Sequence, residues 1–329
     1  MDVKPRIAIV GATGLVGSSL IELINEERFA ATDVHLLASI NSAGERLEVL
    51  GKHRRVELLE QFDFEQVDVA FFAVPPDVAV EYVPKAIDAG VRVVDASSAF
   101  AADTSVPLVM EGVGLEAVKE SGAMLVATPT SAAMALAKVL KPLHDEAQLI
   151  SVSATVCEPA SHFGHQGVNA LAQQAVKLLS GQENEAKQKL AFNVQSQVGA
   201  AEASGHTRFE LLTALEILRL LGQTHLEVNV SSLQVPVFYG QTITLHLSTM
   251  QHLTQEAAES LLSNADLVLK HEGNATALVD AVGANNIVVS RIRPDMSAKN
   301  GLNLTLLSDG LRVGVALNML QVAQNWLKS

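Results

Sequence analysis

Cys157 is the single cysteine in 329 residues, so no internal disulfide can form and no oxidising compartment is required. Aromatic residues make up 4% of the chain, which leaves Leu, Val and Ala to fill the core. Positive charge is scarce: 23 Lys and Arg stand against 36 Asp and Glu, a formal net charge of −13. That balance argues against a general grip on nucleic acid and against docking on anionic membranes. No apolar run reaches the roughly 20 residues that cross a bilayer, and Met1 to Arg6 is too short and polar for a secretory signal. A cytoplasmic protein is expected, without internal repeats or low-complexity linkers.

What is present is an alternation. RIAIV (Arg6 to Val10), VHLLAS (Val34 to Ser39), VDVAFFAV (Val67 to Val74), VRVVDAS (Val91 to Ser97) and AMLVAT (Ala123 to Thr128) read as strands separated by helical segments. That order predicts an α/β fold, a Rossmann-type doubly wound parallel sheet, over residues 1–130. From 131 to 311 the pattern changes to a second α+β domain. Its β-rich segments are Leu149 to Val156, His225 to Val237, Ile243 to Met250, Asn286 to Pro294 and Gly301 to Asp309, with helices near 167–191 and 208–221. The acidic stretch Gln182 to Glu185 reads as a solvated face. The last helix, within 312–329, is expected to return to the first domain.

GATGLVG (Gly11 to Gly17) lies between the first strand and the first helix. There Gly11 permits a tight turn, Gly14 lets the backbone approach a diphosphate, and Gly17 lets the helix close on the sheet. The expected dinucleotide contacts are Gly11, Thr13, Gly14, Leu15, Val16 and Gly17, with Ser39, Asn41 and Ser42 at the ribose and Gln321 from the last helix. The ribose segment LLASINSAGERL holds no acid at its turn for NAD and no cation for a 2′-phosphate, the nearest being Arg46. The choice between NADP and NAD therefore stays open, with weak affinity for either allowed.

LVATPTSAAMAL (Leu125 to Leu136) runs from a strand into a helix that starts near Thr130. Free N–H groups at such a start favour a thiolate or an oxyanion, yet the first turn offers only Thr130 and Ser131. GATGLVG, LLAS with SAG, VDASSAF (Val94 to Phe100), VPVFYG (Val235 to Gly240) and RIRPD through LRVGVALN (Arg291 to Asn318) occur in order. With these the chain resembles aspartate-β-semialdehyde dehydrogenase along nearly its whole length, and within that family the Usg-type homologues most.

The resemblance implies NADPH-dependent reductive dephosphorylation of aspartyl-4-phosphate in lysine, threonine and methionine biosynthesis, by a cysteine nucleophile and a histidine acid–base. It also implies a two-fold homodimer through the second domain. At the corresponding positions this chain carries Ser131 for the cysteine and Gln241 for the histidine. In the substrate pocket Ala101 and Gln234 replace arginines, Leu212 replaces a lysine, Val156 stands for a glutamine, and Glu210 is retained. A serine hydroxyl needs a base near neutral pH, and glutamine cannot serve as one. Without the arginines an acyl phosphate loses both its charge compensation and its orientation.

Three further candidates are weaker. Cys157 falls beside the pocket by the family's spacing, but free cysteines are commonly buried and inert. His162 and His165, with Glu158, suggest a metal only on a regular helix, which Pro159 and Gly164 oppose, so no metal is expected. His206 in Gly-His-Thr reads as a local capping contact. The expectation is a family member that keeps the dinucleotide fold and has lost the family's reaction. The alternative is an NAD(P)-dependent oxidoreductase acting on an aldehyde or another small uncharged substrate. The small-molecule ligand itself is not legible.

Overall fold

A computed structural model describes residues 4–27, 29–182, 189–266, 268–271 and 273–328. Of the Gln182 to Glu185 stretch, only Gln182 lies within the described residues. The chain divides into two compact units, Met1–Thr130 with Val315–Ser329, and Ser131–Gly314.

The first unit contains β1 (Arg6–Val10), α1 (Leu15–Glu26), β2 (Asp33–Ala38), β3 (Arg46–Val49), β4 (Lys52–Leu58), β5 (Val69–Phe72), α2 (Pro76–Asp88), β6 (Arg92–Asp95), α3 (Leu115–Ser121) and β7 (Leu125–Ala127). Its sheet runs β3-β4-β2-β1-β5-β6-β7. Every neighbouring pair is parallel except β3 with β4. Ile7 to Val10 and Val69 to Phe72 are buried because helices cover both faces, which is why these strands read as continuous apolar runs. The chain leaves β1 towards β2 on one side and continues through β5 on the other. The crevice beyond the carboxyl ends of β1 and β5 is therefore the topological switch point where such sheets bind ligands.

The second unit contains α4 (Ser131–Ala147), β8 (Leu149–Glu158), α5 (Gly164–Leu179), α6 (Arg208–Leu221), β9 (Glu227–Gln234), β10 (Gln241–Thr249), α7 (Gln255–Ser263), β11 (Val268–Lys270), β12 (Ile287–Pro294) and β13 (Gly301–Ser308). The order is β11-β12-β13-β10-β8-β9, a mixed sheet. Alternation sorts its faces. Val152, Ala154, Val156, Ile243, Leu245 and Leu247 are buried, while Ser153, Asn229, Ser231, Thr244 and His246 are exposed on the other side. The second half of the chain thus builds a sheet with one covered face and one open, hydroxyl-rich face.

α4 is buried from Ala132 to Leu140 and packs against α6, α7, β8 and β10. The chain ends with α8 (Leu317–Leu327), which packs on α1, α3 and β6 of the first unit. Among the described residues, no helix is long and apolar enough to cross a membrane.

Candidate functional site

The turn after β1 is built from backbone. Gly11 sits at φ +90°, and both its N–H and that of Ala12 donate to the Leu37 carbonyl, at 2.9 and 3.1 Å. A Cβ on Gly11 would stand 2.2 Å from the Ala73 oxygen, and one on Gly17 would stand 2.2 Å from the Gly11 oxygen. Glycine is therefore obligatory at both positions, since neither neighbouring backbone can yield. Gly14 caps α1 in an extended conformation without a side-chain hydrogen bond, and the first helical turn carries no acid. The helix start thus presents N–H groups and positive dipole to an anion. Thr13, Gly14, Leu15 and Val16 around it are half-buried. This cradle fits a diphosphate.

Beyond β2, Ser39 and Asn41 are exposed and Ser42 half-buried. The Ser39 carbonyl accepts from the N–H groups of Ser42 and Ala43, which curls the loop back on itself. On α8, the Gln321 Oε1 is buried without a hydrogen-bond partner, an acceptor that a carboxamide donor would satisfy.

At the end of β6, Asp95 is fully buried and accepts from the Ser97 N–H (3.2 Å) and hydroxyl (2.9 Å). Burial pushes its carboxyl up to about 6 against these two hydrogen bonds. Ser98 beside it is held at φ +66°, a left-handed conformation that serine seldom adopts.

In the second unit, α4 opens with Ser131. The Gln241 Nε2 donates to the Ser131 Oγ at 3.1 Å and to the Glu158 Oε1 at 2.6 Å, and the Ser308 hydroxyl donates to the Gln241 Oε1 at 3.2 Å. A carboxylate on one side and a hydroxyl donor on the other fix the amide's orientation. Gly314 lies against the serine: a Cβ there would stand 2.8 Å from the Ser131 Cβ. It belongs to a π-helical turn, Arg312–Ala316, that leads into α8. The second oxygen of Glu158 lies 3.4 Å from the His162 Nδ1. Burial pulls His162 down, but the hydrogen bond and charge of Glu158 together raise it above its ordinary value. Phe163 and Phe209 meet the ring edge-on, at 5.0 and 5.2 Å.

The two expected catalytic positions, Ser131 and Gln241, are thus in contact. The pocket positions behave differently. Val156 is fully buried between β9 and β10, and Glu158, two residues further along the same face of β8, joins this cluster. The side chain that meets Gln241 is Glu158. Period-two alternation from Val152 would have flagged a buried carboxylate at that strand end.

Both Glu210 oxygens are engaged, one by the Thr207 N–H (2.9 Å) and the other by the Ser232 N–H and hydroxyl (each 2.8 Å). Burial raises its carboxyl, yet these bonds prevail and hold it below the usual range. Glu210 therefore closes the capping box of α6 with Thr207. Leu212 is buried, Gln234 is buried with its backbone paired to Gln195, and Ala101 is buried in the first unit. None of these three carries a charge to hold an anion.

Cys157 points to the face of β8 opposite Glu158, and burial together with the Glu158 charge raises its thiol. It is remote from Ser131 by alternation and poorly disposed to ionise. His162 lies in the turn Ala160–Phe163 and His165 in α5, separated by Gly164 at φ +64°, so the two rings do not share a helix face. No group of three or more potential metal ligands occurs among the described residues. The cap of α6 is Thr207, with exposed His206 just outside it, 3.9 Å from Glu210.

Residues 6–121 match the model of the semialdehyde dehydrogenase NAD-binding domain, and residues 140–313 that of the semialdehyde dehydrogenase dimerisation domain. The chain is 32% identical to aspartate-semialdehyde dehydrogenase 2 of Vibrio cholerae, over 98% of both chains. It is 34% identical to the USG-1 protein homolog of Azotobacter vinelandii, covering 98% of this chain and 97% of that one. The crystal structure of aspartate semialdehyde dehydrogenase II from Vibrio cholerae superposes with a TM-score of 0.96 over 99% of each chain, at 31% identity.

Proposed function

Because this chain belongs to the aspartate-semialdehyde dehydrogenase family, we propose that it is a dinucleotide-binding member that does not carry out the family's acyl-phosphate reduction. The reading rests above all on the contact between Ser131 and Gln241. The residue at the start of α4 is a hydroxyl, and its hydrogen-bond partner is an amide that can neither take nor return a proton near neutral pH. An oxygen nucleophile at neutral pH needs a base in contact, whereas a thiolate at a helix start would be stabilised by the dipole alone. The buried, uncharged Ala101, Leu212 and Gln234 supply no cation for a phosphate or a carboxylate. What remains is the cofactor cradle: when bound, a nicotinamide dinucleotide supplies hydride, with Gly11 to Gly17 holding its diphosphate and Gln321 offering an acceptor.

The test is phosphate-dependent reduction of NADP by aspartate semialdehyde. No rate above the protein-free background is expected, and a rate proportional to purified protein would refute the reading. The chain should also fail to restore growth to a strain that lacks the active dehydrogenase. The dimerisation domain is proposed to make a homodimer, so sedimentation at micromolar concentration should give twice the chain mass.

One observation favours a second reading, an oxidoreductase acting on a small uncharged aldehyde. The Glu158–His162 pair adjoins Gln241 and can exchange a proton, although among the described residues neither group hydrogen-bonds to Ser131. A change in nicotinamide absorbance with a neutral aldehyde, lost in His162→Gln, would select it over the first.

A further inference from the structure

The open face of the second sheet carries a cleft of about 730 Å3. Its walls are apolar, and Val237, Phe238 and Leu278 among them are exposed. Concave apolar surface of this size is what small ligands occupy. Its floor is a row of hydroxyls, because Thr244 pairs with Thr305 across β10 and β13, and Thr305 with Ser290 across β13 and β12. Ser290 is only 3% exposed, yet among the described residues its hydroxyl has no hydrogen-bond partner. A buried polar group left so in a cleft wall calls for an occupant. Cys157, opposite Thr242, also lines the floor. Thr242 and Gln241 are neighbours in β10 and leave opposite faces, so this cleft is separate from the Ser131 cluster.

Among the described residues no acid lines the cleft, in a chain with 36 Asp and Glu. Its one charged side chain is Arg291, exposed and without an ion pair or hydrogen bond among the described residues. The backbone departs from regular pleating to put it there. In an undistorted strand Ser290 and Arg291 would face opposite sides of the sheet. Here the register of β12 on β13 shifts between Ser290 and Arg293, and Arg291 sits in the left-handed region at φ +55°. The Arg293 Nη1 donates to the Arg291 carbonyl at 2.9 Å across this bulge. Ser290 and Arg291 consequently line the same cleft. Bulges often re-aim a side chain, and a residue with a Cβ keeps this conformation only where its surroundings impose it.

We propose that this cleft binds a small carboxylic acid with an apolar body, its head held by Arg291 and the hydroxyl row and its body by Phe238 and Leu278. One guanidinium compensates one negative charge, which suits a carboxylate and would leave a phosphate dianion half neutralised. The Ser290, Thr244 and Thr305 hydroxyls are donors for the carboxylate oxygens that the guanidinium leaves unsatisfied. Cys157 takes no chemical part, because burial first and the Glu158 charge second raise its thiol. As the chain's single thiol it is instead a built-in reporter of whether the cleft is filled.

Calorimetric titration of the full chain with four probes tests this: 3-phenylpropanoate, 3-phenylpropanol, 3-phenylpropylamine and acetate. The phenylpropanoate should bind at least about tenfold more tightly than the alcohol, the range of a charged hydrogen bond. The amine and acetate, lacking the right head or the body, should be weaker still. Arg291→Gln should weaken the phenylpropanoate by about tenfold and the alcohol by less than about twofold. Arg291→Gly, which suits the left-handed backbone, should repeat that loss, and a thermal melt checks that both variants fold. Phe238→Ala should weaken acid and alcohol alike. Alkylation of Cys157 by N-ethylmaleimide, followed by mass, should slow at least about fivefold with saturating phenylpropanoate. Equal binding of acid, alcohol and amine, no binding of the acid, or an acid affinity unchanged in both Arg291 variants overturns the proposal. So does binding that leaves Cys157 unprotected. Alkylation without ligand that slows as protein concentration rises would mean that a second copy of the chain covers the cleft, and overturns it as well.

Discussion

Asp95 provides a sharp test of how charge is handled at the crevice of the first unit. Its carboxyl is fully buried at the end of β6, and among the described residues its negative charge is held by the N–H and hydroxyl of Ser97. It titrates at about 6 in the folded protein against 3.8 in an unfolded chain. A gap of about two pH units, at 1.36 kcal/mol for each, makes the ionised form cost about 3 kcal/mol of stability at pH 7. The sign follows from proton counting. Between pH 3.8 and about 6 the folded chain holds a proton that the unfolded chain has released, so this residue alone makes stability fall as pH rises through that window.

Asp95→Asn removes the titration and keeps an acceptor for Ser97, at a cost of about 1 kcal/mol for the less favourable second hydrogen bond. The variant should be more stable than the parent at pH 7.5 by about 2 kcal/mol, and should lose that advantage by pH 4.5. Urea unfolding of both proteins at pH 4.5, 6.0 and 7.5 measures the difference. Taking the difference cancels the opposite trend from carboxylates held below their usual range, such as Asp68, Glu210 and Asp295. A difference that does not change with pH would refute the reasoning, because it would mean that Asp95 stays ionised without penalty.

Two other outcomes are expected. Gly17→Ala places a methyl group 2.2 Å from the Gly11 oxygen, so it should abolish nucleotide binding by calorimetry and cost about 1–3 kcal/mol in urea unfolding; unchanged binding would show that the turn is not the cradle. His162, raised by Glu158, should titrate above 6.5 by NMR, and its contribution to stability should be complete below 6.5 and fade as pH rises through the folded value. A midpoint at or below 6.5 would contradict the pairing.

The parallel sheet of the first unit was legible because buried strands betray themselves as unbroken apolar runs between helices. The hairpin β3–β4 was not. Its strands carry Arg46, Glu48, Lys52, His53, Arg54 and Arg55, so little apolar alternation shows. Its turn is Leu50-Gly51, both residues at positive φ (52° and 72°), the conformation usually signalled by Asn-Gly or Asp-Gly. A leucine in the first of these positions hides the signal. The glycine turn followed from its place between a strand and a helix, while Ser131 and Gln241 came from the family resemblance and only the structure shows them in contact. Glu158 entered the reading of the sequence only beside His162 and His165, because only pairing across β8 and β10 shows which side chain faces Gln241. Thr207, three residues before Glu210, gives the sequence form of a capping box, which the structure contains.

The closeness of Gly314 to Ser131 carries a consequence for how such a chain can change. A bare backbone is pressed against the head of α4, where position 131 carries a small side chain. Serine and cysteine differ there by one atom, so the step that separates the two chemistries is sterically almost free in either direction. Divergence at this point of the fold is then gated by the partners of position 131 rather than by its own volume.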